Sequence, residues 1–201
     1  MAASTPGVLK PDDVLALLER RGAMLSGHFL LSSGLHSDRF IQKFRIFEDP
    51  PTAEAVCGAL AELLRPTRPQ LVISAAVGGI IPGYVVAKAL GLRDIFVEKE
   101  GGVPVLRRGF AIAPGERVAV VEDVMTTGKS TAEVVGVVQA AGGDVVAIGA
   151  VVKRGKPQLP VPVTALLDLP LQDFRPEECP LPLLESTTTG RSSDRMPSPR
   201  R

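Results

Sequence analysis

The sequence is poor in the residues that build metal centres and disulfide frameworks. Its 201 residues include two cysteines and two histidines, and neither Cys57 nor Cys179 has a histidine cluster beside it in the chain. This spacing argues against a zinc site and against disulfides, and it favours a reducing cytoplasm. Cys57 falls on the apolar face of a predicted helix and is interpreted as a core residue, whereas His28 and His36 are interpreted as structural or exposed.

The sequence also lacks an excess of charge of either sign and any long hydrophobic run. It has 23 basic and 22 acidic residues, which speaks against a nucleic-acid surface or a basic membrane-binding patch. No apolar run reaches the roughly 18 residues that a membrane-spanning helix needs, and the first residues do not have the pattern of a signal peptide. We therefore expect a soluble, cytoplasmic protein that contacts neither nucleic acid nor membrane.

Apolar residues are plentiful, at 45% of the chain, and their spacing predicts alternating strands and helices. Helices are predicted at residues 11–22, 51–64 and 80–90, and a fourth helix follows the loop after the 118–121 strand and runs to about residue 141. Strands are predicted at 71–73, 95–97, 118–121, 145–152 and 163–167. This alternation is typical of crossover units, so it predicts an α/β fold with a mostly parallel sheet. Ligands of such sheets bind beyond the carboxyl ends of the strands.

The same patterns predict one domain over residues 1–185. A core of about residues 50–168 follows an aromatic hairpin of about residues 22–47, which we call the hood. Residues 186–201 lack any core-forming pattern and are predicted to be a disordered tail.

The most informative segment runs from Val118 to Ser130. An apolar strand, Val118–Val121, ends on Glu122 and Asp123, and a Thr/Gly/Ser loop then leads into a helix. Backbone N–H groups at such a helix N-terminus bind phosphate. The two carboxylates would repel a phosphate, but they suit the hydroxyl groups of an attached sugar. The segment therefore indicates a site for a ribose 5-phosphate.

The simplest alternative for this segment is an ordinary helix cap that binds no ligand, because Thr and Ser begin many helices. Two known phosphate motifs are excluded. The spacing of the Walker loop is absent, and a single glycine, Gly128, does not make a dinucleotide-binding fingerprint.

Three segments resemble a known family. Val120–Ser130 resembles the phosphoribosyl pyrophosphate (PRPP) motif of type I phosphoribosyltransferases, and Gly27–Ser37 resembles the N-terminal hood of orotate phosphoribosyltransferases. Glu98–Gly102 followed by Arg107–Phe110 is similar to the short-loop bacterial form. The resemblance spans residues 12–168. It implies the type I phosphoribosyltransferase fold, in which helices flank a central, mostly parallel sheet and the N-terminal region forms a small hood.

The resemblance implies a PRPP site made from three parts of the chain. A phosphate loop, Met125–Ser130, would hold the 5-phosphate, and a carboxylate pair, Glu122 and Asp123, would bind the ribose hydroxyls. A pyrophosphate loop, Ala76–Gly79, would offer backbone N–H groups, and Lys99 would approach the pyrophosphate. The implied catalytic residues are Asp123, Glu122 and Lys99. The full implied set of PRPP contacts is Val77, Gly78, Gly79, Lys99, Glu122, Asp123, Val124, Met125, Thr126, Thr127, Gly128, Lys129 and Ser130.

The resemblance also implies a site for orotate. Arg154 would face the orotate carboxylate, since a planar guanidinium can pair with it bidentately. Thr126 would contact the base, and Phe40 and Ile41 would wall its pocket.

The chain departs from the family pattern at three places. Many orotate enzymes have lysines where this chain has Ser32 and Gly78, and their catalytic loop carries a lysine and a histidine. No histidine lies between residues 92 and 110. Arg107 and Arg108 are the available loop contacts, and they could reach a neighbouring subunit.

We therefore expect a pentosyltransferase of pyrimidine biosynthesis that converts PRPP and orotate into orotidine 5-monophosphate and pyrophosphate. The resemblance implies Mg²⁺ as the cofactor, held mainly by PRPP without a direct protein ligand, and a homodimer. Two alternatives remain open. One is a transferase for a purine or another base, against which Arg154 argues, as do the absence of tryptophan and the position of Tyr84. The other is a non-catalytic PRPP-binding regulator, which the missing lysines and histidine keep open, although no basic helix-turn-helix segment supports DNA binding.

Overall fold

The computed structural model describes residues 9–31, 34–181 and 188–189. Its helices are α1 Pro11–Arg20, α2 Phe44–Phe47, α3 Pro50–Leu64, α4 Ile80–Leu90 and α5 Lys129–Ala140, with 3₁₀ turns at Arg65–Thr67 and Pro176–Glu178. Its strands are β1 Met24–Leu30, β2 His36–Ile41, β3 Leu71–Ala75, β4 Arg93–Glu100, β5 Val103–Leu106, β6 Arg117–Met125, β7 Asp144–Lys153, β8 Val163–Asp168, β9 Asp173–Phe174 and β10 Thr188–Thr189.

Six strands form the main sheet, in the order β5-β4-β3-β6-β7-β8. All neighbouring strands are parallel except β4 and β5, which form an antiparallel ribbon. The predicted α/β fold with a mostly parallel sheet is thus confirmed.

Helices cover both faces of this sheet, because the strands are apolar on both sides. Along β6, Ala119 and Val121 pack in the cluster that contains α1 and α3, whereas Val118 and Val120 pack in the cluster that contains α5. Such burial on both faces explains why the sequence of β6 reads as an unbroken apolar run and not as an alternation.

Strand β6 continues beyond the predicted end at Val121. It pairs with β7 through Glu122↔Ala150 and Val124↔Val152, and it ends at Met125. The prediction that the carboxylate pair follows the strand was wrong, since ladder pairing carries these two acidic residues into the strand itself. Both carboxylates are therefore fixed by the rigid centre of the sheet.

A smaller sheet has the order β10-β1-β2-β9. Its centre is the antiparallel β1–β2 hairpin, as predicted for the hood, but β9 and β10 come from the C-terminal part of the chain. Thr188 and Thr189 pair in parallel with Phe29 and Leu30. The rest of the predicted tail of residues 186–201 lies outside the described residues, and the domain limits stay a prediction.

None of the helices formed by the described residues has the length and apolar character that a membrane crossing requires.

Candidate active site

The loop between β6 and α5 forms one end of the candidate site. Gly128 precedes α5 with a φ of +77°, and a Cβ atom on it would lie 2.7 Å from Cβ of Pro157, so only glycine fits there. The residues around it, Thr126, Thr127, Lys129 and Ser130, are exposed. Because the first N–H groups of a helix have no partner within it, this loop offers donors to an anion.

A cavity of about 310 Å³ opens at this loop. It is lined by Lys99, Val124, Met125, Thr126, Thr127, Gly128, Lys129, Ser130 and Glu133. Lys99 enters it from β4, and its Nζ atom lies 2.7 Å from a carboxylate oxygen of Glu133 on α5. The structure thus places Lys99 beside the phosphate loop, and its predicted approach to the pyrophosphate stays a prediction.

The carboxylate pair is almost fully buried, with Glu122 7% and Asp123 1% exposed. Glu122 Oε2 accepts hydrogen bonds from the hydroxyls of Ser130, at 2.8 Å, and Thr131, at 3.3 Å. Burial, together with the neighbouring charge of Asp123, raises the pKa of Glu122 to about 7. Glu122 therefore changes its protonation close to neutral pH.

Asp123 forms an ion pair that sequence reasoning missed. Its Oδ2 atom lies 2.8 Å from Nζ of Lys43, which directly precedes α2. No motif spacing connects these two residues, which are far apart in the chain, so the sequence carried no signal for this pair. Lys43 is partly exposed and so brings a cation to the open side of the carboxylate pair.

The pyrophosphate loop packs directly against this ion pair. A Cβ atom on Gly78 would overlap Oδ2 of Asp123 and lie 2.5 Å from Nζ of Lys43, and one on Gly79 would lie 2.8 Å from the carbonyl oxygen of Ala75. The two glycines are thus required for close approach. Val77, beside them, is 74% exposed. The structure therefore brings the predicted pyrophosphate loop and the carboxylate pair together.

Arg154 lies between the main sheet and the smaller sheet. Its backbone N–H donates to the backbone carbonyl of Met125, at 2.8 Å. Its guanidinium pairs with the carboxylate of Asp173 in β9, at 3.2 Å. The side chain is only 8% exposed, and its Nε–H has no hydrogen-bond partner among the residues that the structure describes. Burial lowers the pKa of Arg154, while Asp173 and Asp38 oppose this effect. A buried guanidinium with an unpaired donor fits a negatively charged ligand.

The residues expected to wall the base pocket differ in exposure. Phe40 is partly buried and stacks on Phe29, with ring centroids 5.6 Å apart. Ile41 is buried in the core cluster that also contains α3. Its predicted contact with a base stays a prediction.

The two arginines of the β4–β5 ribbon pair with acidic residues of the same ribbon. Arg108 donates to both carboxylate oxygens of Glu98, at 2.9 Å each, and Arg107 lies 3.5 Å from Glu100. Both side chains are more than half exposed. The predicted role of Arg107 and Arg108 as loop contacts stays a prediction. Ser32, the position of an expected hood lysine, lies outside the described residues.

Comparison with known proteins shows which family the chain is similar to. No protein-family model matches it. The orotate phosphoribosyltransferase of Thermotoga maritima is 47% identical over 167 residues, which cover 82% of this chain and 89% of that protein. The orotate phosphoribosyltransferase of Desulforamulus reducens is 44% identical over 172 residues, or 85% of this chain and 90% of that protein.

A solved structure agrees with these relatives. The crystal structure of orotate phosphoribosyltransferase from Aeropyrum pernix matches with a TM-score of 0.68 and 28% identity, over 77% of this chain and 92% of that chain. Together with the main sheet and the hood hairpin, these likenesses show that the chain belongs to the orotate phosphoribosyltransferase family and has the type I phosphoribosyltransferase fold.

Proposed function

We propose that this protein transfers the phosphoribosyl group of PRPP to orotate, releasing pyrophosphate and forming orotidine 5-monophosphate in pyrimidine biosynthesis. The observation that carries the proposal is the junction of β6 and α5. There, the loop at the N-terminus of α5 adjoins two buried carboxylates, and a glycine loop packs on one of them, Asp123.

The junction offers a ribose 5-phosphate two kinds of partner at separate places, hydrogen-bond donors for its phosphate and carboxylates for its hydroxyl groups. The phosphate loop, Met125–Ser130, binds the 5-phosphate through N–H and hydroxyl groups. The carboxylate pair accepts hydrogen bonds from the ribose hydroxyls. Positive charge develops at the anomeric carbon as pyrophosphate departs, and Glu122 and Asp123, preorganised close to it, stabilise that charge.

Lys43 supplies a cation for the pyrophosphate. Its ammonium lies where a side chain on Gly78 would begin, at the position where many orotate enzymes carry a lysine. Asp123, on strand β6, holds the ammonium there. When PRPP binds, Lys43 moves from Asp123 to the pyrophosphate, which frees Asp123 for the sugar.

The Lys43 assignment is tested by Lys43→Met, with Lys43→Arg as a rescue. We expect Lys43→Met to raise the KM for PRPP about tenfold, in line with the loss of one charged hydrogen bond, and to leave the KM for orotate unchanged. Lys88→Met is the matched control, because Lys88 forms an exposed pair with Glu54. Equal kinetics for Lys43→Met and Lys88→Met would contradict the assignment.

Arg154 binds the carboxylate of orotate, and Thr126, Phe40 and Ile41 bound the base. The buried guanidinium already has one carboxylate partner, Asp173, and retains an unpaired Nε–H. The unpaired donor fits a further acceptor, such as an oxygen of the orotate carboxylate.

The residues present also fit Mg²⁺ carried by PRPP. The two carboxylates of the site already have other partners, because Oε2 of Glu122 accepts from two hydroxyls of the protein and Asp123, once Lys43 has left it, accepts from the ribose hydroxyls. They are therefore not arranged as a metal cage, and we propose that Mg²⁺ has no direct protein ligand. Mg²⁺ bound to PRPP would neutralise charge on the departing pyrophosphate.

We further propose a homodimer in a reducing cytoplasm. Ile81 and Tyr84 are exposed hydrophobic residues three positions apart on α4, which directly follows the pyrophosphate loop, and a second copy of the chain would cover them. Cys57 and Cys179 are free thiols. Sedimentation of the wild type and of Tyr84→Glu tests the dimer, which the charged variant should weaken.

The decisive experiment for the reaction is a panel of bases with PRPP and Mg²⁺, read out as release of pyrophosphate. Steady release with orotate, and none with adenine, guanine, hypoxanthine or uracil, is the expected result. Release with a purine alone, or binding of PRPP without turnover of any base, would contradict the proposal.

A further inference from the structure

Three potential metal ligands meet in the smaller sheet, outside the candidate active site. Nε2 of His28 lies 2.8 Å from Nδ1 of His36 and 3.5 Å from Sγ of Cys179, and all three atoms lie within 4.8 Å of one another. We call these residues the histidine–cysteine cluster. They come from β1, from β2 and from the segment directly after the 3₁₀ turn Pro176–Glu178.

The fold overturns the argument that neither cysteine has histidine neighbours. In the sequence, Cys179 is far from both histidines, so their spacing matches no metal motif. In the structure, the C-terminal segment returns to the hood, and β9 pairs with β2. This return places Cys179 beside His28 and His36.

The donor types and their distances suit a zinc-like ion. Imidazole nitrogen and thiolate sulfur are the preferred ligands of Zn²⁺. Donor atoms around a tetrahedral zinc ion lie roughly 3.3–3.6 Å apart, given metal–nitrogen distances of about 2.0 Å and a metal–sulfur distance of about 2.3 Å. In the cluster, the 3.5 Å separation lies in this range, the 2.8 Å separation is shorter, and the third is at most 4.8 Å, so side-chain rotations that part the two imidazoles and draw His36 and Cys179 together complete the site.

The surroundings favour a defined site. His28 is 5% exposed, and the two imidazole rings meet edge to face, at 63°, so their nitrogens converge and the rings do not stack. His36 pairs with Leu30 of the adjacent strand, and His28 lies two residues before Leu30, in the stretch where the register of this pair shifts.

We propose that His28, His36 and Cys179 bind one divalent zinc-like ion, which fastens the C-terminal segment to the hood. Three protein ligands leave a fourth position for water. The thiol and any protonated imidazole release their protons to solvent when the ion binds. The ion is structural and takes no part in the transfer reaction, so the proposal does not depend on the proposed function.

Cobalt binding to the purified, chelator-treated full-length protein tests the proposal. We expect one equivalent of Co²⁺ to bind, with a thiolate-to-cobalt charge-transfer band in the near ultraviolet and the visible bands of a tetrahedral site. One equivalent of Zn²⁺ should abolish these bands. Absence of the charge-transfer band in the wild type would overturn the proposal.

Two variants and a control identify the ligands. Cys179→Ser should lose the charge-transfer band, and His36→Ala should weaken Co²⁺ binding at least tenfold. Cys57→Ala should keep the full spectrum, because burial raises the pKa of the Cys57 thiol to about 12 and it supplies no thiolate. An unchanged band in Cys179→Ser would overturn the proposal.

Thermal unfolding keeps the test informative if a variant folds poorly. Zn²⁺ binds only the folded site, so it should raise the midpoint of the wild type and of Cys57→Ala. It should not raise that of Cys179→Ser. An equal rise in all three proteins would place the ion elsewhere and refute the assignment.

Discussion

The two sides of the candidate active site are built in different ways. The phosphate side, Glu122 to Ser130, is one continuous segment, which consists of the end of β6, paired there with β7, and the loop into α5. The base side combines Arg154 from the end of β7 with Asp173 from β9 and Asp38 from β2. The proposed sugar-phosphate site is therefore formed by neighbouring residues of the sequence, whereas the proposed base site depends on how distant segments pack.

The two sides also bury opposite charges. On the phosphate side, two carboxylates share one partly exposed cation, Lys43. On the base side, one buried guanidinium faces two carboxylates, Asp38 and Asp173. Each side thus combines one cation with two carboxylates, but the most deeply buried charge is negative on the first side and positive on the second. The predictions below test this contrast, beginning with the largest expected effect.

Asp123→Asn should abolish the function of the phosphate side while preserving the fold. We expect kcat to fall by roughly 10²–10³-fold, as for the loss of one preorganised electrostatic contact, because the amide cannot stabilise positive charge at the anomeric carbon. Pyrophosphate release measures the rate, and circular dichroism checks the fold. Activity close to that of the wild type would remove Asp123 from the site.

Gly78→Ala should impair PRPP use at the phosphate side through a change in packing, without removing any charged group. The new methyl group would overlap Oδ2 of Asp123 and crowd Lys43, so we expect kcat/KM for PRPP to fall roughly tenfold or more, for a misplacement close to the reacting groups. Gly136→Ala is the matched control. It lies in α5 with open space around it, and it should keep full activity and gain about 0.5–1 kcal/mol of stability.

A normal rate for Gly78→Ala would show that the pyrophosphate loop and the carboxylate pair can separate freely, against the packing described above.

Arg154→Ala should affect the base side alone. We expect the KM for orotate to rise roughly 10–100-fold, as when a charged hydrogen-bonding partner is removed, and the KM for PRPP to change less than threefold. Steady-state kinetics with each substrate varied in turn measure the difference. Equal changes in both constants would refute the division into two sides.

Glu122 should give the phosphate side a pH dependence that the base side lacks. Its pKa in the folded protein, about 7, lies above the ordinary value of 4.5, and sugar binding uses the ionised form. We therefore expect kcat/KM for PRPP to rise with pH up to about 7. An unchanged profile in Glu122→Gln would assign the titration to another group.

The same shift has a signed effect on stability. Between pH 4.5 and 7 the folded state binds more protons at Glu122 than the unfolded state does, so this group makes the free energy of unfolding fall as pH rises through that interval. Urea unfolding at pH 5 and pH 8 should show a smaller decrease in Glu122→Gln than in the wild type. Identical decreases would mean that the Glu122 carboxyl is not perturbed by burial.

The family, the fold and the main helices and strands were predictable, because each depends on local patterns or on the PRPP motif. Strand β6 was predicted too short, because the pattern of apolar residues cannot reveal that strand pairing continues through the charged residues Glu122 and Asp123. Lys43 and the histidine–cysteine cluster were missed for a different reason: their partners are distant in the chain. The individual roles of the site residues, from the carboxylate pair and the phosphate loop to Lys99, Arg107, Arg108, Arg154 and Ile41, stay predictions.

The contact between Gly78, Lys43 and Asp123 has an evolutionary corollary. One small volume can hold either a side chain at position 78 or the ammonium of residue 43, but not both. Because the two side chains exclude each other, we expect that homologues with lysine at position 43 have glycine at position 78. Exchanging the two residues together, by Gly78→Lys with Lys43→Ala, would recreate the alternative solution in one chain.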